Sequence, residues 1–438
     1  MLKQKSVKIF LLLFFVICLG FQSVTAQSNT NLILSINVDG PLTPALVGYI
    51  QRSLVAAEDR GAEMLVLQLN TPGGNIDLMN RIVQDIRASS IPVIVYVAPR
   101  GAIAGSAGTL ITLAGHVAAM APETAIGAAS PVGGQGEDLG ETIESKQKEI
   151  LRASVRSLAA GRGTKAISLA EDTIENAKAV SSEEALEAGL VDLVASDIND
   201  LLIQLEGRTV TTIDGNIILD TANFILLPVE MSFIEQLLQL LTNPNVLFLL
   251  LTIGVQAIFI ELSNPGGWVA GFIGAVSLIL AVYGMGILPV NWFGILFILV
   301  AFILFVLEVK APTHGALTTA GAASFIIGAL VLFNSVGAFG FERLSIPLVI
   351  AVGLILAGAM FVVVSFGIRA MRRPVLTGMN ALTGKTGYVV SALNPQGSVQ
   401  VAGELWGAIE ENELYLSEDT PIEVTGKQGI KLIVRKRN

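Results

Sequence analysis

Residues 64–74 read MLVLQLNTPGG, and residues 91–98 read IPVIVYVA. Each is an apolar run of strand length, and the segment between them, residues 76–88, carries apolar side chains at helical spacing. Strands that alternate with helices predict a parallel β/α sheet, in which the chemistry gathers at the carboxyl ends of the strands. Gly74 and Ser106 each follow such an end, so we expect both on one edge of an α/β domain.

The backbone near these two residues is suited to binding an oxyanion. Gly73 and Gly74 have no Cβ, so the chain can come within hydrogen-bonding distance of a substrate carbonyl. Ser106 is expected where a helix begins, and a free amide at a helix start favours negative charge, so the Ala107 N–H is a candidate second donor. Such donors contribute roughly 3–4 kcal/mol each to catalysis. The structural alternative makes the glycines a turn and Ser106 a helix cap.

A serine nucleophile needs a base, and histidine is a poor candidate in this chain. His116 and His314 are the only histidines. His116 lies on the helix that is predicted to begin at Ser106, about 15 Å along its axis at 1.5 Å per residue, so it cannot reach back to Ser106. His314 lies in the apolar half of the chain. A lysine that has lost its proton is the remaining type of base, and the residues leave three candidates open: Lys146, Lys148 and Lys165.

Composition places much of the 438-residue chain in a membrane. Only 14% of residues are charged, 52% are hydrophobic and the mean hydropathy is +0.68. The net charge of −9 includes no long basic run, which argues against nucleic acid as a partner. Two distant histidines cannot form a metal cluster, and we expect neither a metal nor a cofactor.

Residues 1–26 have the pattern of a secretory signal peptide. Three lysines precede an apolar run at residues 9–19, and Val-Thr-Ala ends at Ala26. An uncleaved N-terminal anchor is the alternative. The sole cysteine, Cys18, lies in this leader, so a mature chain would have no disulfide and no cysteine nucleophile.

Residues 231–373 predict a multi-pass membrane domain, in which an interfacial helix near residues 233–241 precedes the first span. Lys310 to Gly315 is one of the polar breaks between its spans, and Arg369, Arg372 and Arg373 mark a cytoplasmic end by the positive-inside rule. The fourth span is short, so four spans with a re-entrant segment is an alternative. The polar run from Glu308 to Gly315 is either a functional site or a cytoplasmic turn. Five spans are predicted: Pro244–Leu262, Trp268–Leu288, Trp292–Leu307, Leu317–Phe333 and Ile346–Ile368.

Residues 374–438 predict a small closed β-barrel, because five short strands alternate with turn residues. The strand faces lack the clustered aromatic and basic residues that bind single-stranded nucleic acid. We interpret the barrel as a protein-contact module. A glycine-rich, acidic segment at residues 133–140 predicts a mobile loop beside the site.

Several motifs of residues 27–230 resemble a ClpP-class serine protease domain, and together with the membrane half and the barrel the chain resembles the long form of the NfeD family. These motifs are Asn70-Thr71-Pro72-Gly73-Gly74, Gly105-Ser106-Ala107-Gly108-Thr109, Met120-Ala121-Pro122, Ile126-Gly127-Ala128 and residues 184–192, EALEAGLVD. The resemblance implies a ClpP/crotonase-like spiral domain, an all-α transmembrane bundle and a small all-β OB-fold barrel that carries Val401-Ala402-Gly403-Glu404-Leu405-Trp406.

The resemblance also implies roles for individual residues. Ser106 of the Ser-Ala-Gly triplet corresponds to the nucleophile, and Gly74 and Ala107 correspond to the oxyanion donors. The family's base is a lysine that begins the helix ending in Ser-Leu-Ala. Counting back from Ser157 matches it to Lys146, with Lys148 as the fallback.

We therefore expect a serine endopeptidase with a Ser/Lys dyad in the cell (inner) membrane, its protease domain extracytoplasmic and its barrel cytoplasmic. The expected partners are a protein or peptide substrate, in particular a hydrophobic segment of a stomatin/SPFH-type membrane protein, together with membrane lipid and further copies of the chain in a dimer or larger homo-oligomer. One alternative is a crotonase-like enzyme, whose thioester substrate is cytoplasmic. Another is a non-catalytic membrane scaffold that works with SPFH-type proteins.

Overall fold

The computed structural model describes residues 31–133, 138–263, 266–311, 313–334, 340–371 and 381–437, with the backbone alone at residues 367–371. The predicted leader at residues 1–26 and part of the predicted loop at residues 133–140 lie outside them. The described residues form two compact units, one within residues 1–302 and 322–354 and the other within residues 303–321 and 355–438.

A parallel sheet forms the centre of the N-terminal α/β domain. Its strands are β1 (Leu32–Asp39), β2 (Met64–Asn70), β3 (Val93–Val97), β5 (Val117–Met120), β8 (Leu193–Val194) and β11 (Ile225–Pro228). Their order is β11-β1-β2-β3-β5-β8, and every neighbouring pair is parallel. One apolar core lies on each face of the sheet, which explains why β3 is buried throughout.

A second, smaller sheet lies at the edge where the site is expected. It consists of β4 (Ile103–Gly105), β6 (Ala125–Gly127) and β7 (Ala179–Ser181), with β4 and β6 parallel. A polar hairpin, β9 (Thr209–Thr212) and β10 (Gly215–Ile218), turns at Asp214-Gly215.

The strands of this part of the chain alternate with helices. These helices are α1 (Pro44–Asp59), α2 (Ile76–Arg87), α3 (Ala107–Ala114), α4 (Glu141–Leu158), α5 (Thr164–Glu175), α6 (Ser182–Glu187), α7 (Ile198–Leu205) and α8 (Phe233–Leu240). Local chemistry sets several of their starts. The hydroxyl of Thr43 accepts the Leu46 N–H at 3.2 Å before Pro44, and Ser181 and Glu184 form a capping box at the start of α6.

The membrane half is helical, as predicted. Its helices are α9 (Pro244–Ser263), α10 (Val269–Met285), α11 (Phe293–Lys310), α12 (Ala316–Leu332) and α13 (Ile346–Met371). By length and composition α9, α11 and residues 346–366 of α13 can cross a membrane, while α10 and α12 are shorter apolar helices of 17 residues each. A Cβ built on Gly294 would lie 2.5 Å from the Gly328 carbonyl oxygen, so glycine lets α11 and α12 approach closely.

Two glutamates hold the helix connections of this half. Glu308 is fully buried at the end of α11 and accepts the backbone N–H groups of Leu317 (3.0 Å) and Thr318 (3.2 Å) in the first turn of α12. Glu261 in α9 likewise accepts the N–H groups of Trp268 (3.0 Å) and Gly271 (3.2 Å) at the start of α10. A carboxylate that accepts several amides at a helix start stabilises that start. These contacts favour the structural interpretation of the polar run that begins at Glu308.

The C-terminal strands form a closed barrel. They are β12 (Thr386–Ser391), β13 (Gln396–Val401), β14 (Glu404–Glu410), β15 (Pro421–Gln428) and β16 (Lys431–Lys436), in the order β12-β13-β14-β16-β15. Only β14 and β16 pair in parallel among these strands, which is the OB-fold arrangement. The predicted fold class, an α/β domain followed by transmembrane helices and a small barrel, is confirmed.

Candidate active site

Backbone hydrogen bonds hold together the glycine loop, residues 71–74, and the serine segment, residues 103–106. The N–H of Thr71, directly after β2, donates to the Ile103 carbonyl at 2.7 Å. The Gly105 N–H donates back to the Thr71 carbonyl at 2.9 Å. These two hydrogen bonds join the large sheet to β4. Gly74, which follows β2, and Ser106, which follows β4, therefore lie on one edge, as predicted.

Gly73 touches Ser106. A Cβ built on Gly73 would lie 2.6 Å from the Ser106 Cβ and 3.1 Å from its Oγ, and Gly73 has φ +123°, so both space and backbone require glycine. The Gly73 N–H donates to the Thr71 hydroxyl at 3.1 Å, and the Gly73 carbonyl accepts the Leu42 N–H at 2.9 Å. Among the described residues the Gly74 N–H has no partner, so it is the amide of this pair that remains available.

Ser106 has a strained backbone. It lies at φ +50° and ψ −115°, between β4 and α3, and its N–H donates to the Gly127 carbonyl at 2.8 Å. A non-glycine residue held at positive φ costs about 1–3 kcal/mol, and such strain gathers at active sites. Serine nucleophiles of other α/β enzymes occupy similar sharp strand-to-helix turns.

The Ser106 hydroxyl does not cap the helix that follows it. The capping alternative is therefore wrong for the side chain, although Ser106 does occupy the N-cap position. Ala107 is the first residue of α3, and its N–H has no partner in the described part of the chain. The half-buried hydroxyl lies at the positive end of a helix whose eight residues are all buried, a setting that favours negative charge.

The lysine candidates differ in their partners. The Lys148 amine pairs with Glu144 at 2.8 Å, and this hydrogen bond raises the pKa of Lys148, so it stays protonated. Lys146 is exposed, and it has no ion pair within the residues described. Two glutamates of the same helix pair with other cations, Glu144 with Lys148 and Glu149 with Arg152 at 2.9 Å. The role of Lys146 stays a prediction.

His116 was placed on the wrong element by the sequence. The helix after Ser106 ends at Ala114, and Gly115 and His116 lead into β5. The His116 Nδ1 accepts the Val93 N–H at 3.0 Å, at the amino end of β3, whereas the site follows carboxyl ends. Burial lowers the pKa of His116 to about 4, and the charge of Arg87 adds to this. His116 is a neutral structural residue.

Two further groups position the site. The Asn70 side chain accepts the Ile103 N–H at 3.0 Å and donates to Asp39 at 2.7 Å. Gly340, in the connection between α12 and α13, lies against the loop: its Cβ would meet the Pro72 Cγ at 2.2 Å. The Asn-Thr pair before the glycines was available as a signal in the sequence. No local pattern could reveal Gly340, because that contact joins residues far apart in the chain.

The architecture and the site define a membrane protein with an extramembrane α/β domain, in which a strained serine lies beside a glycine loop. Family models match it in three segments: the NfeD1b N-terminal domain over residues 32–214, the NfeD integral membrane domain over 245–366, and the NfeD-like C-terminal, partner-binding domain over 379–436.

Full-length relatives agree with these matches. The membrane-bound protease PH1510 of Pyrococcus horikoshii is 38% identical over 415 residues, which cover 92% of this chain and 93% of the relative. The membrane protein NfeD1b of Bacillus subtilis is 26% identical over 462 residues, covering 100% of both chains. The chain belongs to the NfeD family, in its long, membrane-bound form.

A solved structure is similar to the N-terminal part of the chain. It is a lysine-to-alanine mutant of 1510-N, a membrane-bound stomatin-specific protease, in complex with a substrate peptide. It is 34% identical, covers 48% of this chain and 98% of its own, and superposes with a TM-score of 0.45.

Proposed function

We propose that this protein is a membrane-bound serine endopeptidase in which Ser106 is the nucleophile and Lys146 the general base. The observation that carries the proposal is the geometry of Ser106. Its backbone is strained at φ +50°, its hydroxyl makes no capping bond, and it touches Gly73. The relative that shares 38% of its residues over nearly the whole chain is described as a protease, which supports the same class.

The proposed reaction begins with attack of the Ser106 Oγ on the scissile carbonyl, while Lys146 takes the hydroxyl proton. The N–H groups of Gly74 and Ala107 then stabilise the oxyanion. Lys146 returns the proton to the leaving amine, and water hydrolyses the acyl-enzyme by the same route. This assignment favours Gly74 over Gly73 as the donor, because Thr71 already accepts the Gly73 N–H.

A hydrophobic substrate fits the surroundings of Lys146. Ile143 and Ile150 lie one turn to either side of it on α4, and they are 55% and 66% exposed. An apolar segment that covers this face would remove water from the Lys146 amine. Desolvation disfavours the ammonium form, so binding would help to produce the neutral base.

We infer that the substrate is a hydrophobic segment of a membrane-associated protein of the stomatin/SPFH type, as 1510-N is described as stomatin-specific. The protease domain is proposed to lie outside the cytoplasm and the barrel inside it. The barrel would then contact the partner, in keeping with the partner-binding description of its family model.

The decisive experiment measures peptide cleavage by the purified full-length chain, by Ser106→Ala, by Lys146→Ala and by the double variant. If the two residues act as a unit, each single variant loses nearly all activity and the double variant loses little more. Lys148→Ala is the matched control, because it removes a neighbouring lysine on the same helix. Full activity in Lys146→Ala together with an inactive Lys148→Ala would move the base to Lys148. Full activity in Ser106→Ala would reject the mechanism.

A further inference from the structure

Helix α8 has two faces of opposite character. Its polar face contacts α1: Glu235 pairs with Arg52 at 2.7 Å, and Gln239 accepts the Thr43 hydroxyl at 2.7 Å. Its apolar face is open, and the exposed fractions of the side chains are 79% for Phe233, 67% for Ile234, 37% for Leu237 and 51% for Leu240. Exposed apolar side chains gathered on one helix face, unlike single ones, mark a contact surface.

The position of α8 indicates what covers this face. Leu241 follows α8 directly and is 1% exposed, and a Cβ built on Gly284 of α10 would lie 2.4 Å from its carbonyl oxygen. The end of α8 therefore packs against the end of α10, an apolar helix of the membrane half. The next membrane-half helix, α9, begins at Pro244, three residues after Leu241. Eight residues of helix extend about 12 Å, so the whole apolar face stays close to the plane where these helices leave the bilayer. The surface that fits is phospholipid.

Short connections link α8 to the site. Thr43, which Gln239 holds, is next to Leu42, and the Leu42 N–H donates to the Gly73 carbonyl at 2.9 Å. On the same edge, Gly340 from the membrane half lies against Pro72. Two independent contacts thus tie the glycine loop to elements at the end of the membrane helices.

We propose that α8 is a membrane-surface helix that inserts Phe233, Ile234, Leu237 and Leu240 among lipid headgroups. It thereby holds the catalytic edge of the α/β domain, the edge that carries Gly74 and Ser106, on the bilayer. The insertion of α8 does not depend on the proposed peptidase function. The consequence for the substrate does rest on that function. We expect the protein to cut a peptide bond in a segment at the membrane surface, where an anchored substrate is presented.

The insertion is tested by measuring depth in the bilayer. The sole cysteine is Cys18, so a Cys18→Ser background accepts single cysteines for nitroxide labelling. The full chain is reconstituted in vesicles of phosphatidylethanolamine and phosphatidylglycerol, and label collisions with oxygen and with a water-soluble nickel chelate are compared. The label in Ile234→Cys should favour oxygen at least threefold more than the label in Ile203→Cys, a control residue of α7 that is 74% exposed. Equal water access at both positions would overturn the proposal.

The consequence is tested with one peptide sequence in two forms, soluble and carrying a membrane anchor in the same vesicles. Ile234→Glu should lower cleavage of the anchored form at least tenfold and leave cleavage of the soluble form unchanged, while Ile203→Glu changes neither. If Ile234→Glu lowers cleavage of both peptide forms equally, the proposed orientation of the catalytic edge on the bilayer is wrong. If the native chain cleaves neither form, the proposed peptidase function fails, and the label depths still decide the insertion.

Discussion

Replacing Gly73 by alanine is the sharpest structural perturbation of the site. The new methyl group would lie 2.6 Å from the Ser106 Cβ, whereas carbon atoms pack at about 3.5–4.0 Å, so the loop must move by about 1 Å. That movement carries the Gly74 N–H away from the oxyanion, and loss of one such donor costs about 100- to 1,000-fold in rate. The φ of +123° adds strain of about 1–3 kcal/mol to the folded state. We expect kcat/KM for a peptide to fall at least about 100-fold, with a small decrease in melting temperature.

Gly215→Ala is the matched control for this change. Gly215 has nearly the same backbone, φ +122°, but nothing lies within 4 Å of its Cβ position. Gly215→Ala should therefore lose about as much stability as Gly73→Ala and keep its activity. The two variants share the backbone strain, but only Gly73→Ala has the clash with Ser106. Cleavage kinetics and thermal denaturation of both full-length variants separate the two effects. A folded Gly73→Ala variant with activity within threefold of the native chain would refute this account of the loop, as would equal losses of activity in the two variants.

Three further predictions concern the base, the pH dependence and the topology. Lys146→Arg, which cannot deprotonate near neutral pH, should be inactive in the peptide assay, whereas Lys148→Gln should retain most activity because Lys148 is held protonated by its ion pair. Because burial lowers the pKa of His116 from 6.5 to about 4, its neutral form stabilises the fold above pH 6.5 and this contribution is lost as the pH falls toward 4. In thermal denaturation, His116→Gln should remove that acid sensitivity. The single-turnover rate of the same variant should still fall with acid near neutrality. If this fall in rate disappears in His116→Gln, the general base is a histidine. Reporter fusions after Leu205 and after Asn438 should give opposite compartment signals, and matching signals would mean an even number of spans between these two positions.

Most of the large elements could be predicted from residue patterns. The uniform apolar runs of β2 and β3 have the length and composition of buried strands, and α1 and α2 repeat their apolar residues at helical spacing. The barrel strands lie between turn residues, so the sequence predicts five of them. Ser106 and the glycine pair were found because their chemistry is local to short motifs.

Other features depend on contacts that no local pattern records. The strands β4, β6 and β7 have three residues each, too few to show an alternation, and they exist because they pair with one another beside the site. His116 was assigned to a helix because the sequence after Ser106 stays apolar, whereas Gly115 ends that helix and the Val93 hydrogen bonds draw His116 to the sheet. The contact of Gly340 with Pro72 is likewise set by tertiary structure alone.

The central claim is that Ser106 is an activated nucleophile. Its most direct test is reaction of the purified full-length chain with a fluorophosphonate, followed by mass spectrometry of the peptide that contains residues 101–122. The account predicts a single adduct on Ser106, formed faster as the pH rises through neutrality, and no adduct in Ser106→Ala. Modification of a different serine, or cleavage of peptide substrates by the Ser106→Ala chain, would contradict it.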